Sequence, residues 1–138
     1  MADADLPDID LEALERAEAA LARLSDDYLT WAEADAARLC ACLAETEGPA
    51  IADKDVLHRL FAIAHDMKGQ AATFGYPLIT TIAHRLCRLI DHRGAETLPR
   101  ARVAAHVDAV SEVLARRLSG NGGAAGQAIL ARLDQPGD

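Results

Sequence analysis

The chain has 138 residues, about half of them apolar and only 4% aromatic, five prolines and a formal net charge of −8. That length holds one compact domain with a substantial core and is too short for two ordinary ones. The acids crowd the first third (Asp3, Asp5, Asp8, Asp10, Glu12, Glu15, Glu18, Asp26, Asp27, Glu33, Asp35), which favours solubility and argues against nucleic acid or an anionic membrane as a main partner.

Ala and Leu dominate, β-branched runs are few, and the composition is that of packed helices. Cys40, Cys42 and Cys87 are odd in number, and the C-A-C pair sends its sulfurs to different sides of a helix. Neither a zinc spacing nor a disulfide framework follows, and no metal site is expected. MADADLPDID has no basic leader and no apolar run, and no window is long enough to span a bilayer, so the expected location is cytoplasmic.

In chain order, Leu11, Leu14, Leu21 and Leu24 predict a short first helix ending near Leu24. Ser25 or Asp26 is placed to cap a second, from about Asp27 to Ala44, with Leu29, Ala32, Ala36, Leu39 and Leu43 on one stripe. Gly48-Pro49 breaks the pattern, and Asp53 caps a third helix over about Lys54 to Phe74. Gly75 suits the left-handed turn that ends it, and Pro77 the first turn of a fourth helix that runs to about His92 and closes at Gly94. Thr97 is expected to cap a fifth helix, with Pro99 in its first turn, running to about Leu118. No strand pattern competes.

The reading is all-α: an antiparallel four-helix bundle with an additional short N-terminal helix, since short connections leave each helix beside the last. It divides the chain into an acidic N-terminal segment (1–24), the bundle (25–119), and a flexible glycine break with a short C-terminal helix or tail (120–138).

On a wheel of the third helix, at about 100° per residue, Val56, Ile63, Met67 and Phe74 lie opposite His65, flanked by Leu60 and Ala71, so His65 faces outward. Its own side carries His58, Phe61, Ala62, Lys68, Gly69 and Ala72. A plain solvated face would be Glu, Lys, Gln and Arg. Small neighbours instead leave the imidazole open to another protein's surface, and Phe61 with Leu57 offers that surface something apolar. Gly69 supports this, because a glycine inside a helix costs about 1 kcal/mol relative to alanine. The same stripe also fits burial under the N-terminal helix or in a dimer.

His65-Asp66-Met67-Lys68-Gly69, a small or apolar stretch, and Gly75 ten residues after the histidine resemble the signature of histidine-containing phosphotransfer (HPt) domains. The likeness extends from about Ser25 to Leu118. Gln70 stands where the family is more often small and is expected to point toward a neighbouring helix. Asp66 after the histidine also fits the dimerisation domains of sensor kinases, but their later proline is absent and no ATP-binding domain fits in the chain.

The resemblance implies a relay intermediate without a kinase domain. His65 would be the phosphoacceptor and Lys68 the charge beside the phosphoryl group, while Phe61, Ala62, Gly69, Ala72 and His58 would dock a response-regulator receiver domain. The receiver would supply Mg²⁺, this chain would bind no cofactor, and a sensor or hybrid histidine kinase would stand upstream; a monomer is expected. Arg59, Arg85 and Arg88 would steer the acidic receiver. His84, His92 and His106 are expected to be solvated or at edges, Tyr28 and Trp31 to be core or to cover the bundle end, and Cys87 to be buried packing. A non-phosphorylated adaptor or dimerisation bundle is the alternative. A metal-binding bundle fails on pattern, since no E-x-x-H occurs.

Overall fold

The computed structural model describes residues 10–93 and 97–134. Helices α1 (Leu11–Ala44), α2 (Lys54–Ala71), α3 (Pro77–Asp91), α4 (Arg100–Ala115) and α5 (Gly123–Leu133) are joined by short connections. Two-residue strands β1 (Ala50–Ile51) and β2 (Leu98–Pro99) lie in the α1–α2 and α3–α4 loops. They pair antiparallel, Ala50 with Pro99 and Ile51 with Leu98. Those two loops therefore share one end of the molecule.

At the other end Gly120 donates its amide to the Gly75 carbonyl at 2.9 Å, which ties the α4–α5 turn to the α2–α3 turn. Two loops at each end make the helices run up, down, up, down. Each packs on its chain neighbour and α4 closes back on α1, giving the expected four-helix bundle, with α5 against α4. The core is one cluster in which Leu60, Ala64, Ala71, Ile79, Ile82, Leu86, Val103, Val107 and Val110 are fully buried.

Local chemistry sets most boundaries where the sequence places them. The Asp53 carboxylate accepts from the amides of Asp55 (2.9 Å) and Val56 (3.3 Å) and caps α2. Gly75 takes φ +88°, and Pro77 begins α3. Pinning by aromatics holds the same end: Tyr28 stacks on Phe74 with centroids 4.9 Å apart and tilts against Tyr76 at 5.8 Å.

Several expectations need correction. The first two predicted helices are one, capped at Asp10, whose carboxylate accepts from the Glu12 amide at 3.0 Å. Ser25 and Asp26 cap nothing, because no glycine or proline lies between Leu11 and Ala44 and the backbone continues through them. Thr97 does not cap α4 either. β pairing holds Leu98 and Pro99 extended, so the helix starts at Arg100, whose amide donates to the Pro49 carbonyl at 2.9 Å.

The α4 helix ends at Ala115 and not Leu118, because Arg117 adopts φ +51°. The Leu118 amide then reaches the Val113 carbonyl at 3.0 Å and the Arg117 amide the Leu114 carbonyl at 3.2 Å, the double closure of a Schellman turn. On α2, Leu57 is core and not surface, and Gln70 is exposed and does not face a neighbouring helix. Phe74 lies just past the α2 terminus. The expected stop at Gly94 and the acidic residues before Ile9 lie outside the described residues.

His106 also departs from expectation: it is 4% exposed, and its Nδ1–H donates to the Arg102 carbonyl at 2.7 Å. Burial pushes its pKa below the ordinary histidine value, and the charges of Arg102 and Arg85 add to that against the opposing hydrogen bond. A lowered pKa means that the unfolded chain binds the proton better. This part of the stability is complete above about pH 6.5 and declines as pH falls below it. Denaturant titrations between pH 7.5 and pH 5 should show that decline, and His106→Leu should flatten it.

Tyr28 is 2% exposed, and its hydroxyl has no hydrogen-bond partner among the described residues. Burial, with Tyr76 and Asp35 nearby, pushes this phenol up to about 12. A buried unpaired hydroxyl costs about 1–3 kcal/mol, so Tyr28→Phe should match or exceed the parent in thermal unfolding. Tyr28→Ala, which deletes the stack itself, should lose about 3–5 kcal/mol.

Candidate functional site

The α2 helix divides into two faces. Val56, Leu57, Leu60, Ala64, Met67 and Ala71 are buried against the bundle. His58, Ala62, His65, Gly69 and, at the C-cap, Ala72 are exposed. The periodicity that builds the core therefore also sets the imidazole outward.

Phe61 and His65, one turn apart, stack with centroids 5.9 Å apart and planes 21° from parallel. This contact takes one ring face of an exposed residue, and neither ring nitrogen has a hydrogen-bond partner among the described residues. Phe61 is half-buried on the core and so gives the imidazole a fixed wall. Lys68, a turn beyond His65, is half-buried and makes no ion pair among the described residues. Its backbone is fixed by Thr80, whose hydroxyl donates to the Lys68 carbonyl at 3.1 Å.

A Cβ built on Gly69 meets nothing within 4 Å, so no neighbour among the described residues requires a glycine there. Ala62 and Ala72 extend the same low surface. His58 lies two turns before His65, about 10 Å along the axis, and shares the face without reaching the ring.

The three arginines expected to steer a partner have other surroundings. Arg59 forms a fork with Glu45 (2.7 and 2.7 Å) and a third bond to Asp55 at 3.0 Å. Its hydrogen bonds hold the Glu45 carboxyl below the usual range, and its charge is spent locally. Arg85 and Arg88 line a separate cavity of about 390 Å³ with His92, Arg102, His106 and Asp134, and Arg85 pairs with Asp134 at 2.6 Å.

Cys87 is buried as expected, its thiol near the Phe61 carbonyl at 3.8 Å. Burial raises its pKa against the opposing influence of Lys68, which keeps it a thiol. Tyr28 is core, whereas Trp31 stands 54% exposed on α1. The sequence missed the Phe61 stack and Thr80; the i, i+4 spacing of Phe61 and His65 was the available signal.

No described helix is long and apolar enough to cross a membrane. The chain matches no curated protein and no solved structure at a significant level. A match to the Hpt domain family spans residues 11–119, from the start of α1 to the turn after α4. An all-helical bundle with an outward histidine beside lysine and glycine agrees with that match, and the chain belongs to the Hpt domain family, whose members are histidine phosphotransfer modules of two-component signalling.

Proposed function

We propose that this protein is a phosphorelay intermediate that shuttles a phosphoryl group between His65 and the aspartate of a response-regulator receiver domain. The observation that carries the reading is the exposed His65 imidazole, walled by Phe61 on one side and open over Ala62, Gly69 and Ala72. Docking at Phe61, Ala62, Gly69, Ala72 and His58 brings the receiver's phosphoaspartate in line with the ring. The outer nitrogen, Nε2, attacks phosphorus with its lone pair while the bond to the aspartate oxygen breaks and the carboxylate leaves. The step reverses for the return transfer.

A loose transition state of this kind is stabilised by placement and by charges on the equatorial oxygens. Lys68 supplies one such charge from this chain, and the receiver supplies Mg²⁺. The chain carries no nucleotide-binding pattern, so phosphate enters from a sensor or hybrid kinase through a receiver. The contact is small, below about 1,200 Å² in total, as a partner that must leave requires. We place the protein in the cytoplasm with such partners.

Incubation with a ³²P-labelled receiver in Mg²⁺ should label the parent and leave His65→Gln blank, with a label that survives alkali and is lost in acid. Lys68→Ala should be labelled more slowly. No label from a broad set of receivers would move the assignment to an adaptor that keeps the fold without its chemistry.

Gly69→Ala separates docking from folding. With open space at its Cβ, alanine should stabilise the helix by about 1 kcal/mol in thermal or denaturant unfolding. The same methyl stands on the face the receiver approaches, so transfer should slow in the more stable variant. Faster or unchanged transfer would remove Gly69 from the docking surface.

A further inference from the structure

The cavity of about 390 Å³ between α3, α4 and the end of α5 has no lining residue on α2, so it is separate from the His65 face. Arg85, Arg88, Leu89 and His92 recur on α3 at the three- and four-residue steps of one helix face, and Arg102 and His106 stand one turn apart on α4. Leu133 and Asp134 close the third side.

Charge in this cavity is out of balance. Three arginines meet one carboxylate, that of Asp134, which accepts from Arg85 Nη1 at 2.6 Å. Arg88 and Arg102 make no ion pair and no side-chain hydrogen bond among the described residues. With both histidines neutral the walls therefore carry two uncompensated positive charges, in a chain whose formal net charge is −8.

Helix chemistry accounts for only part of this. Arg88 and His92 stand at the C-terminal end of α3, where the helix dipole favours a cation. Arg102 stands in the first turn of α4, where the dipole disfavours one, and no acidic residue offsets it in that turn. Arg100 in the same turn is held by the Thr46 hydroxyl and the Leu43 carbonyl, whereas Arg102 has no such partner.

His106 supplies a second, independent sign of a ligand. The residue is 4% exposed, its Nδ1–H is spent on the Arg102 carbonyl, and its Nε2 has no hydrogen-bond partner among the described residues. The one sealed and unpaired side-chain polar atom among those residues is the Tyr28 hydroxyl, so Nε2 opens onto the cavity that its ring lines. A polar atom of a buried ring left in this way is one that a ligand would satisfy.

We propose that this cavity binds a phosphomonoester, with the phosphoryl group held by Arg88, Arg102 and His106 and the organic part laid on Leu89 and Leu133. A doubly charged phosphoryl group matches the two uncompensated charges, and guanidinium forks take its oxygens in pairs. A single carboxylate, which Asp134 already gives to Arg85, would leave one charge over. The volume falls within the range of about 300–1,000 Å³ typical of small-molecule sites, more than a bare phosphate ion fills, and the two leucines give the remainder an apolar wall.

Binding has a consequence for His106. An anion beside Nε2 favours a proton there, against the burial and the arginine charges that lower its pKa in the free protein. The charged and titratable groups around the ring are Arg85, Arg88 and His92 from α3, Arg102 on its own helix and Asp134 at the end of α5. The His106 titration should therefore move to higher pH when the site is filled.

Calorimetric titration of the full chain with phenyl phosphate tests the site, in Tris chloride at constant ionic strength and slightly alkaline pH, where the phosphoryl group is a dianion. Inorganic phosphate is the free-anion probe. Phenyl phosphate should bind about tenfold more tightly than inorganic phosphate, and Arg88→Gln and Arg102→Gln should each weaken it by about tenfold. Without ligand both variants should melt at or above the parent, since each removes a repelling charge, and His65→Gln should bind as the parent does. No heat and no rise in melting temperature at millimolar phenyl phosphate would overturn the proposal. So would binding that survives the Arg88→Gln, Arg102→Gln double variant, binding lost in His65→Gln, or a His106 titration that the ligand leaves unmoved in nuclear magnetic resonance. Inorganic phosphate binding as tightly as phenyl phosphate would overturn the ester and make the free anion the ligand.

Discussion

The packing of α2 is the constraint on which the rest of the structure depends. Leu60, Ala64, Met67 and Ala71 are at most 2% exposed, and two of the four are alanines. Small side chains on the buried face let α3 approach closely, and Ile79, Ile82 and Leu86, each fully buried, fill the space along that contact. A helix fixed so firmly on one side leaves its other side set in orientation, and that side is where His65 stands. The Thr80 hydroxyl on the Lys68 carbonyl adds a polar tie between the same two helices, under the residue that follows the imidazole by one turn.

Both ends of the bundle serve this arrangement by different means. At the β end, Arg100 donates to the Thr46 hydroxyl at 2.8 Å and to the Leu43 carbonyl at 3.1 Å, so α4 begins against the last turn of α1. At the other end the tie is aromatic, with Tyr28 between Phe74 and Tyr76. The second end lies closer to His65, which stands six residues before the α2 terminus. Rigidity there comes from stacked rings and a left-handed glycine, not from a hydrogen-bonded side-chain network.

Much of this was legible in the sequence because helix periodicity and helix punctuation are local. Asp53, Gly75 and Pro77 act within one turn of where they stand, and their reading needed no partner. The failures share a different origin. Ser25 and Asp26 resemble a cap, but capping requires the chain to leave the helix, and nothing in Leu21–Leu29 makes it leave. Thr97 lost its role to a strand pair whose halves are some fifty residues apart. Arg59 was matched to an external acid when Glu45, across the α1–α2 loop, already held it. His106 looked solvated because its burial depends on α4 packing against its neighbours, which no local pattern encodes. Outward His65 was legible because the wheel of α2 alone decides it.

The two exposed surfaces of the molecule differ in a way that follows from what each is built on. The His65 face is low and lies on a helix whose opposite side is packed in the bundle, so changes at Ala62, Gly69 or Ala72 leave that buried side untouched. The exposed leucines Leu11, Leu14, Leu21 and Leu24 stand on the part of α1 before Tyr28, in which no residue is buried and where an isolated segment of 17 residues is only marginally helical. Its order depends on propagation from the bundle through an Ala- and Leu-rich stretch and on the Asp10 cap at its far end. Any contact along these leucines would therefore add to the stability of the helix that carries them, whereas a contact at His65 meets a surface that is already fixed. The first couples binding to helix order; the second separates recognition from folding, as suits a histidine phosphotransfer module.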